Sequence, residues 1–285
     1  LLLARRALRP VDILTQTAQK ISGEHLDQRL HESGSGDELD RLAKTLNNML
    51  ARLHVSIEQM RQFSADASHE LQTPLTILKG EMEVALRRQR TAEEYKDVIR
   101  SGLEEIDRLN HLVEGLLLLA RADSGVLRLD MESIDLKNFL ADILDQLQPI
   151  AAAHVVNLYQ KPSAALYVEA DRDHLKRLVL NLLVNAIKYN YTNGKVKVIL
   201  KEKGQWIVLS ICDTGIGIAK DEQQNIFNRF HRSTETGSRD GEGVGLGLSI
   251  ANSIAKAHKG FIKVESALKQ GTTISVYLPA IPPSK

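Results

Sequence analysis

The stretch Phe63-Ser-Ala-Asp-Ala-Ser-His-Glu-Leu-Gln-Thr-Pro-Leu-Thr76 joins a helical repeat to a chemically loaded surface. Phe63, Ala67, Leu71, Leu75 and Leu78 fall at helical spacing and make one face apolar. His69 lies off that stripe and is expected to face solvent. A neutral imidazole is a nucleophile in the pH range where histidine titrates. Glu70 can accept the imidazole proton or orient the ring. Thr73 follows His69 by four residues and shares its helix face. Pro74 removes an amide and crowds the carbonyl of Glu70, which predicts a bend beside the histidine. Taken alone, His-Glu is also an ordinary solvated pair, so the flanking chain has to decide.

Upstream, Leu39, Leu42, Leu46, Met49 and Leu53 form a helical stripe that Asp37 and Glu38 open with acids at the positive end. Ile57 and Met60 continue it with one extra four-residue step, a stutter that locally unwinds a coiled coil. An earlier stripe, Val11, Leu14, Ala18 and Ile21, follows Pro10 and ends at Gly23. Residues 24–36 are polar, carry Leu26 and Leu30, and predict an extended connector. Leu1-Leu-Leu-Ala-Arg-Arg-Ala-Leu-Arg9 reads either as a cut membrane helix with cytoplasmic positive charges or as the start of an amphipathic helix. No apolar run reaches the roughly 18 residues of a membrane span.

Downstream, the helix is expected to reach about Leu86, with a turn at Arg87–Arg90. Thr91 with Glu94 is a capping-box signature for a second helix to about Ala122. Its apolar side is Val98, Ile106, Leu109, Val113, Leu116 and Leu119. Two such helices carry more apolar surface than a lone hairpin hides, so a dimeric four-helix bundle is expected. Asp123-Ser-Gly125 then breaks the helix and makes a linker.

The remainder alternates helix and strand. Helices are expected over 136–153, 172–189 and 245–258, with a short one after 218. Strands are expected over 155–160, 166–170, 195–203, 205–212, 260–266 and 271–278, giving an α/β layer fold. The chain has 285 residues, room for about two domains, and a net charge of +1, which gives no electrostatic case for nucleic acid. Its single cysteine, Cys212, excludes an internal disulfide and reads as a small buried residue ending a strand.

Four segments of the α/β part carry chemistry. Asn181 and Asn185 stand at i and i+4 on one helix face, with Lys188 close by. Carboxamide oxygens suit Mg²⁺ and a lysine suits phosphate, although asparagines at this spacing also cap or bridge neighbours. Asp213-Thr-Gly215-Ile-Gly217 follows an apolar strand; its glycines admit a ligand to the backbone, and its carboxylate can accept from an amino group such as that of adenine. Gly241-Glu-Gly243-Val-Gly245-Leu-Gly247 opens a helix whose amides form an anion site. It matches neither a P-loop nor a dinucleotide fingerprint. Phe227 and Phe230 read as packing residues, and Arg232 is within reach of phosphate.

The string His69-Glu-Leu-Gln-Thr-Pro-Leu75 resembles the phospho-acceptor box of sensor histidine kinases, with Gln72 where arginine is usual. The paired short helices upstream resemble a HAMP relay module; a generic coiled coil shares that pattern. The ordered asparagine, Asp-x-Gly-x-Gly, phenylalanine and glycine-rich segments resemble the ATP-binding domain of histidine kinases, gyrase-type ATPases, Hsp90 and MutL. The resemblance implies that Asn185 ligates Mg²⁺ with help from Asn181, Lys188 and Arg232 bind phosphate, Tyr189 packs on the base and Asp213 holds the adenine amino group. It further implies a mobile lid over 231–244, and Gly271-Thr272-Thr273 matches the closing strand of that family. Tyr189-Asn-Tyr-Thr192 departs from the usual form, which more often carries a proline.

The implied organisation is a membrane-helix end at 1–9, a HAMP domain at 10–60, a dimerization and phosphotransfer domain at 61–125 and an ATP-binding domain at 129–285. The implied protein is a homodimeric sensor histidine kinase at the inner membrane, this part cytoplasmic. It uses ATP and Mg²⁺, phosphorylates His69 and passes phosphate to the receiver domain of a response regulator. An ATPase driving shape change and a degenerate scaffold are the rivals. The histidine box argues against the first, and Asn185, Asp213 and His69 together argue against the second.

Overall fold

The computed structural model describes residues 29–31, 34, 36–231 and 244–281. The expected membrane-helix end and first relay helix, most of the connector, and nearly all of the lid therefore lie outside the described residues. Among those described, no helix is long and apolar enough to cross a membrane. The chain divides into two compact units, Leu1–Glu70 and Leu71–Lys285.

Helix α1 spans Glu38–Leu86, with Pro74 inside it. Asp37 Oδ1 accepts from the amides of Leu39 and Asp40 at 3.0 and 3.1 Å, so the acid that opens the helix caps it. Within the first unit, the Asn47 carboxamide grips the connector. Its Oδ1 accepts from the Leu30 amide at 2.8 Å and its Nδ2 donates to the Leu30 carbonyl at 3.0 Å. Leu30, Ala43 and Leu50 are buried there.

In the second unit, helix α2 runs Ala92–Asp123 behind the Thr91–Glu94 capping box. The apolar side expected of it is only partly the buried side. Leu112, Leu118 and Leu119 enter the main core, whereas Ile106 and Val113 stay 40% exposed. The reason is that the last turns of α2 pack on the α/β layer rather than following the hairpin stripe.

That layer is built from β1 (Met131–Asp135), α3 (Leu136–Ala153), β2 (Asn157–Gln160), β3 (Tyr167–Asp171), α4 (Arg172–Lys188), β4 (Lys195–Lys203), β5 (Trp206–Asp213), α5 (Gly247–Ala257), β6 (Phe261–Ala267) and β7 (Gly271–Pro279). The main sheet has the order β2-β4-β5-β7-β6, and β1 pairs with β3 in a separate two-stranded sheet. Alternation puts Val196, Val198, Ile207, Leu209, Ile211, Ile274, Val276 and Leu278 on the buried side. They meet apolar stripes of α3, α4 and α5 at helical spacing.

Two sequence expectations fail locally. Strand β1 was not expected; only Ile134 of its five residues is fully buried, so it carries little alternation. The short helix after 218 is instead a string of turns, mixing i→i−3 and i→i−4 hydrogen bonds through Glu222, Gln223, Asn225 and Ile226. Cys212 is half-buried near the end of β5.

Leu119 is fully buried where α2 enters the core. Leu119→Ala is expected to cost about 3 kcal/mol. Urea unfolding should show a lower midpoint with an unchanged slope; an unchanged midpoint would mean that α2 is not part of this cooperative unit.

Candidate functional site

Asp213 ends β5, and its Oδ1 collects two backbone amides, Gly215 at 2.8 Å and Thr272 at 3.1 Å. Burial pushes its carboxyl pKa up, and the two amides pull against that shift. Both amides go to one oxygen, and among the described residues none donates to Oδ2.

Glycines make this arrangement possible. A Cβ on Gly215 would stand 2.2 Å from the Tyr189 carbonyl oxygen, and one on Gly271 would stand 2.1 Å from the Asp213 carbonyl oxygen. Gly217 has φ +71°, and a Cβ there would meet the Ala267 carbonyl at 1.9 Å. The Tyr189 carbonyl accepts from the Ile216 amide at 3.1 Å, joining the end of α4 to the glycine loop. The Tyr189 ring is 42% exposed, and Lys188 Nζ lies 5.9 Å from its centroid.

The start of α5 forms the second part. Gly245 has φ +74° and packs against the Phe230–His231 backbone. At the N-cap position, Leu246 supplies no side-chain hydrogen bond, so among the described residues the first amides of α5 have no side-chain cap. A Cβ on Gly247 would stand 3.3 Å from Asn181 Oδ1, which places the asparagine face against this helix start. Among the described residues, Asn181 Nδ2 is buried without a hydrogen-bond partner. An orphaned donor beside an uncapped helix N-terminus fits a phosphate-bearing ligand, and the carboxamide oxygens fit Mg²⁺.

The second unit thus brings together Asp213, Gly215, Gly217, Thr272 and Tyr189, and sets Asn181 against Gly247. Asn185 and Lys188 are half-buried on the same helix. Arg232 and Gly243 lie outside the described residues. His69 is exposed and Glu70 half-buried on α1, while Thr73 is exposed in the second unit.

Sequence reasoning missed two supporting residues. Ser266 Oγ accepts from the Ile218 amide at 2.8 Å and lies 2.9 Å from Thr272 Oγ1. Asn190 Oδ1 accepts from Thr214 Oγ1 at 3.1 Å, and its Nδ2 donates to the Lys195 carbonyl at 3.1 Å. Asn190 stands in the segment that lacks the usual proline, and that departure was the available signal.

Three family models match the chain. The HAMP domain matches residues 2–55, the His Kinase A (phospho-acceptor) domain 59–125, and the histidine kinase-, DNA gyrase B- and HSP90-like ATPase 170–282. Sensor protein CutS of Streptomyces coelicolor is 35% identical over 97% of this chain, which spans 66% of CutS. Among solved structures, the Acinetobacter baumannii histidine kinase AdeS aligns with TM-score 0.62 and 25% identity, covering 75% of this chain and 98% of that one. Histidine kinase ThkA, solved in complex with response regulator protein TrrA, aligns with TM-score 0.62 at 22% identity, over 87% of this chain and 70% of that one. With an exposed histidine in a phospho-acceptor domain followed by an ATPase-type nucleotide fold, the chain belongs to the sensor histidine kinases of two-component systems.

Proposed function

We propose that this chain is the cytoplasmic part of a membrane-anchored sensor kinase that moves the γ-phosphoryl group of ATP to His69. The observation that carries the reading is the half-buried Asp213 carboxylate, held by Gly215 and Thr272 with one oxygen left for a donor. Asp213 accepts from the adenine amino group and Tyr189 flanks the base. The start of α5, Gly243 and Arg232 hold phosphates. Asn181, Asn185 and Lys188 face the same phosphates, and Asn185 is the Mg²⁺ ligand. The ion supplies charge neutralisation on the phosphate oxygens.

In the transfer, an imidazole nitrogen of His69 forms a bond to the γ-phosphorus while the bond to the β–γ bridging oxygen breaks and ADP departs. Glu70 takes the imidazole proton. Positioning and charge account for most of the acceleration. The phosphoryl group then passes to an aspartate on a response regulator; the ThkA–TrrA complex supports a partner of that class. The protein acts as a homodimer. Leu75, Ile77, Met82, Ile99, Leu103 and Leu117 are each 47–61% exposed on α1 and α2, a face that a second copy would cover. The HAMP match and Arg5, Arg6 and Arg9 support attachment at the inner membrane through an upstream helix.

Incubation with γ-labelled ATP followed by acid treatment tests the reading. Wild type should acquire an acid-labile label, and His69→Gln should acquire less than about a hundredth of it, since the nucleophile is gone. Substantial acid-labile label in the variant would remove His69 from the role. Asn185→Ala should weaken binding of a Mg²⁺–ATP analogue by at least about tenfold with the fold intact; unchanged affinity by calorimetry would make the asparagines structural.

Thr73 lies one turn from His69, where its hydroxyl positions a water for removing phosphate from the regulator. Thr73→Ala should lengthen the lifetime of regulator phosphate in the presence of ADP by about tenfold while changing autophosphorylation less than about twofold. Equal lifetimes would leave Thr73 as helix surface.

A further inference from the structure

Helices α4 and α5 carry the two halves of the proposed phosphate site, the asparagine face and the glycine start, yet neither half contains what sets their spacing. The two helices pack together and run antiparallel. The start of α5 at Gly247 faces Asn181 on α4, and the residue after α5 returns to the residue before α4. Ten residues separate Asp171 from Asn181, and eleven separate Gly247 from His258. At about 1.5 Å per residue these spans are about 15 and 17 Å, so the two contacts sit at the two ends of α5, against the start and the middle of the longer α4.

His258 forms the far cross-link. It is 3% exposed. Its Nε2 accepts from the backbone N–H of Asp171, the N-cap of α4, at 2.9 Å, so Nδ1 carries the proton and donates to the Ile254 carbonyl at 2.9 Å in the last turn of α5. One ring thereby satisfies a donor at one helix start and an acceptor at the other helix end. Apolar contact alone holds such a pair less firmly against sliding. The α5 residues in the core include Ala251 and Ala255, whose small side chains raise few ridges, and hydrophobic attraction is non-directional. A hydrogen bond has a fixed length and direction.

We propose that His258 is a positioning residue for nucleotide binding: its imidazole pins the end of α5 to the start of α4 and so fixes the register in which the glycine start faces Asn181 and Asn185. The proposal rests on the reading of that face as the ATP site. Burial is what favours the neutral ring. It lowers the pKa of His258, while the Ile254 carbonyl and the Asp171 carboxylate act in the opposite direction and His174 on α4 adds to the lowering. The Asp171 carboxylate does not bond to the ring; it accepts the amides of His174 and Asp130, each at 2.9 Å. Burial pushes the Asp171 pKa up, but these hydrogen bonds outweigh it and hold the value at about 2. His174 Nδ1 lies 2.8 Å from Asp171 Oδ1 and adds to the lowering. A protonated His258 would have no acceptor for the Asp171 amide.

The test uses the whole chain and calorimetry with Mg²⁺ and a non-hydrolysable ATP analogue. His258→Gln has the reach to present a carboxamide oxygen to the Asp171 amide, whereas His258→Asn keeps a donor for Ile254 but is too short for Asp171. His258→Asn is expected to raise Kd about tenfold and His258→Gln less than about twofold. Equal weakening by both would show that the Asp171 bond is not the determinant, and an unchanged Kd in His258→Asn would overturn the proposal. Asn185→Ala, run alongside, separates the two ideas. If it weakens binding while His258→Asn does not, the strut alone fails; if Asn185→Ala has no effect, the reading of the site fails.

Discussion

A half-buried carboxylate at the end of a central strand needs its charge met, and in this chain two amides meet it, one from the glycine loop and one from β7. Gly215 follows Asp213 directly, while Thr272 comes from the start of β7, so the Asp213 side chain closes the glycine loop onto the neighbouring strand. Burial raises the pKa of the acid and the amides oppose that shift. The price of this packing is backbone that no ordinary residue tolerates: Gly271 has φ +86°, and a Cβ on it would collide with the Asp213 carbonyl. Removing either amide would leave the carboxylate under-satisfied, and adding either Cβ would push the loops apart. The site is therefore set by backbone, with few side chains left to choose.

The parts of the fold legible in the sequence are those whose signal is local. Thr91 and Glu94 form the reciprocal hydrogen bonds expected of their spacing, at 3.2 and 2.8 Å. Helix α3 occupies the expected 136–153, because Leu136, Phe139, Leu140, Ile143, Leu144 and Leu147 all repeat on one face. Strand β1 escaped because its formation depends on β3, forty residues away at Met131↔Asp171, and its own five residues hold one buried apolar side chain. The turns after Ile218 escaped for a related reason. Their anchors are tertiary: Gln223 Nε2 donates to the Ser266 carbonyl at 2.8 Å, and Phe230 takes φ +58° beneath Gly245.

The same division runs through the site. Asp213, its glycines and Asn181 stand out as candidates because each carries chemistry in its residue type. Ser266 and Asn190 are not, because a serine in a strand and an asparagine in a turn are ordinary until their partners are known. Ser266 reaches Thr272 and Ile218, and Asn190 reaches Thr214 and Lys195. His258 belongs with them. Its sequence context, a residue just past a helix, suggests only a C-cap. Its second bond, to an amide 87 positions away, gives it a role at the opposite end of the helix pair.

Helix α2 shows how a single element can serve two surfaces at once. Between positions 112 and 119 its sequence is Leu-Val-Glu-Gly-Leu-Leu-Leu-Leu, apolar on nearly every side. A helix of that composition asks for cover all round. Leu112, Leu118 and Leu119 obtain it from the α/β core, and Gly115 lets α5 come close, since a Cβ there would stand 3.1 Å from Ile250. Val113 and Leu117 remain 40% and 53% exposed. A hairpin selected only to hide its own seam would have no use for those two positions, whereas a bundle of two copies would. The turns of α2 that would meet a second copy are then the same turns that α5 packs against, and α5 begins at the proposed phosphate site. Gly115 is where α2 meets Ile250 of α5, so cover from the α/β core and cover from a second copy are asked of neighbouring residues on one short stretch.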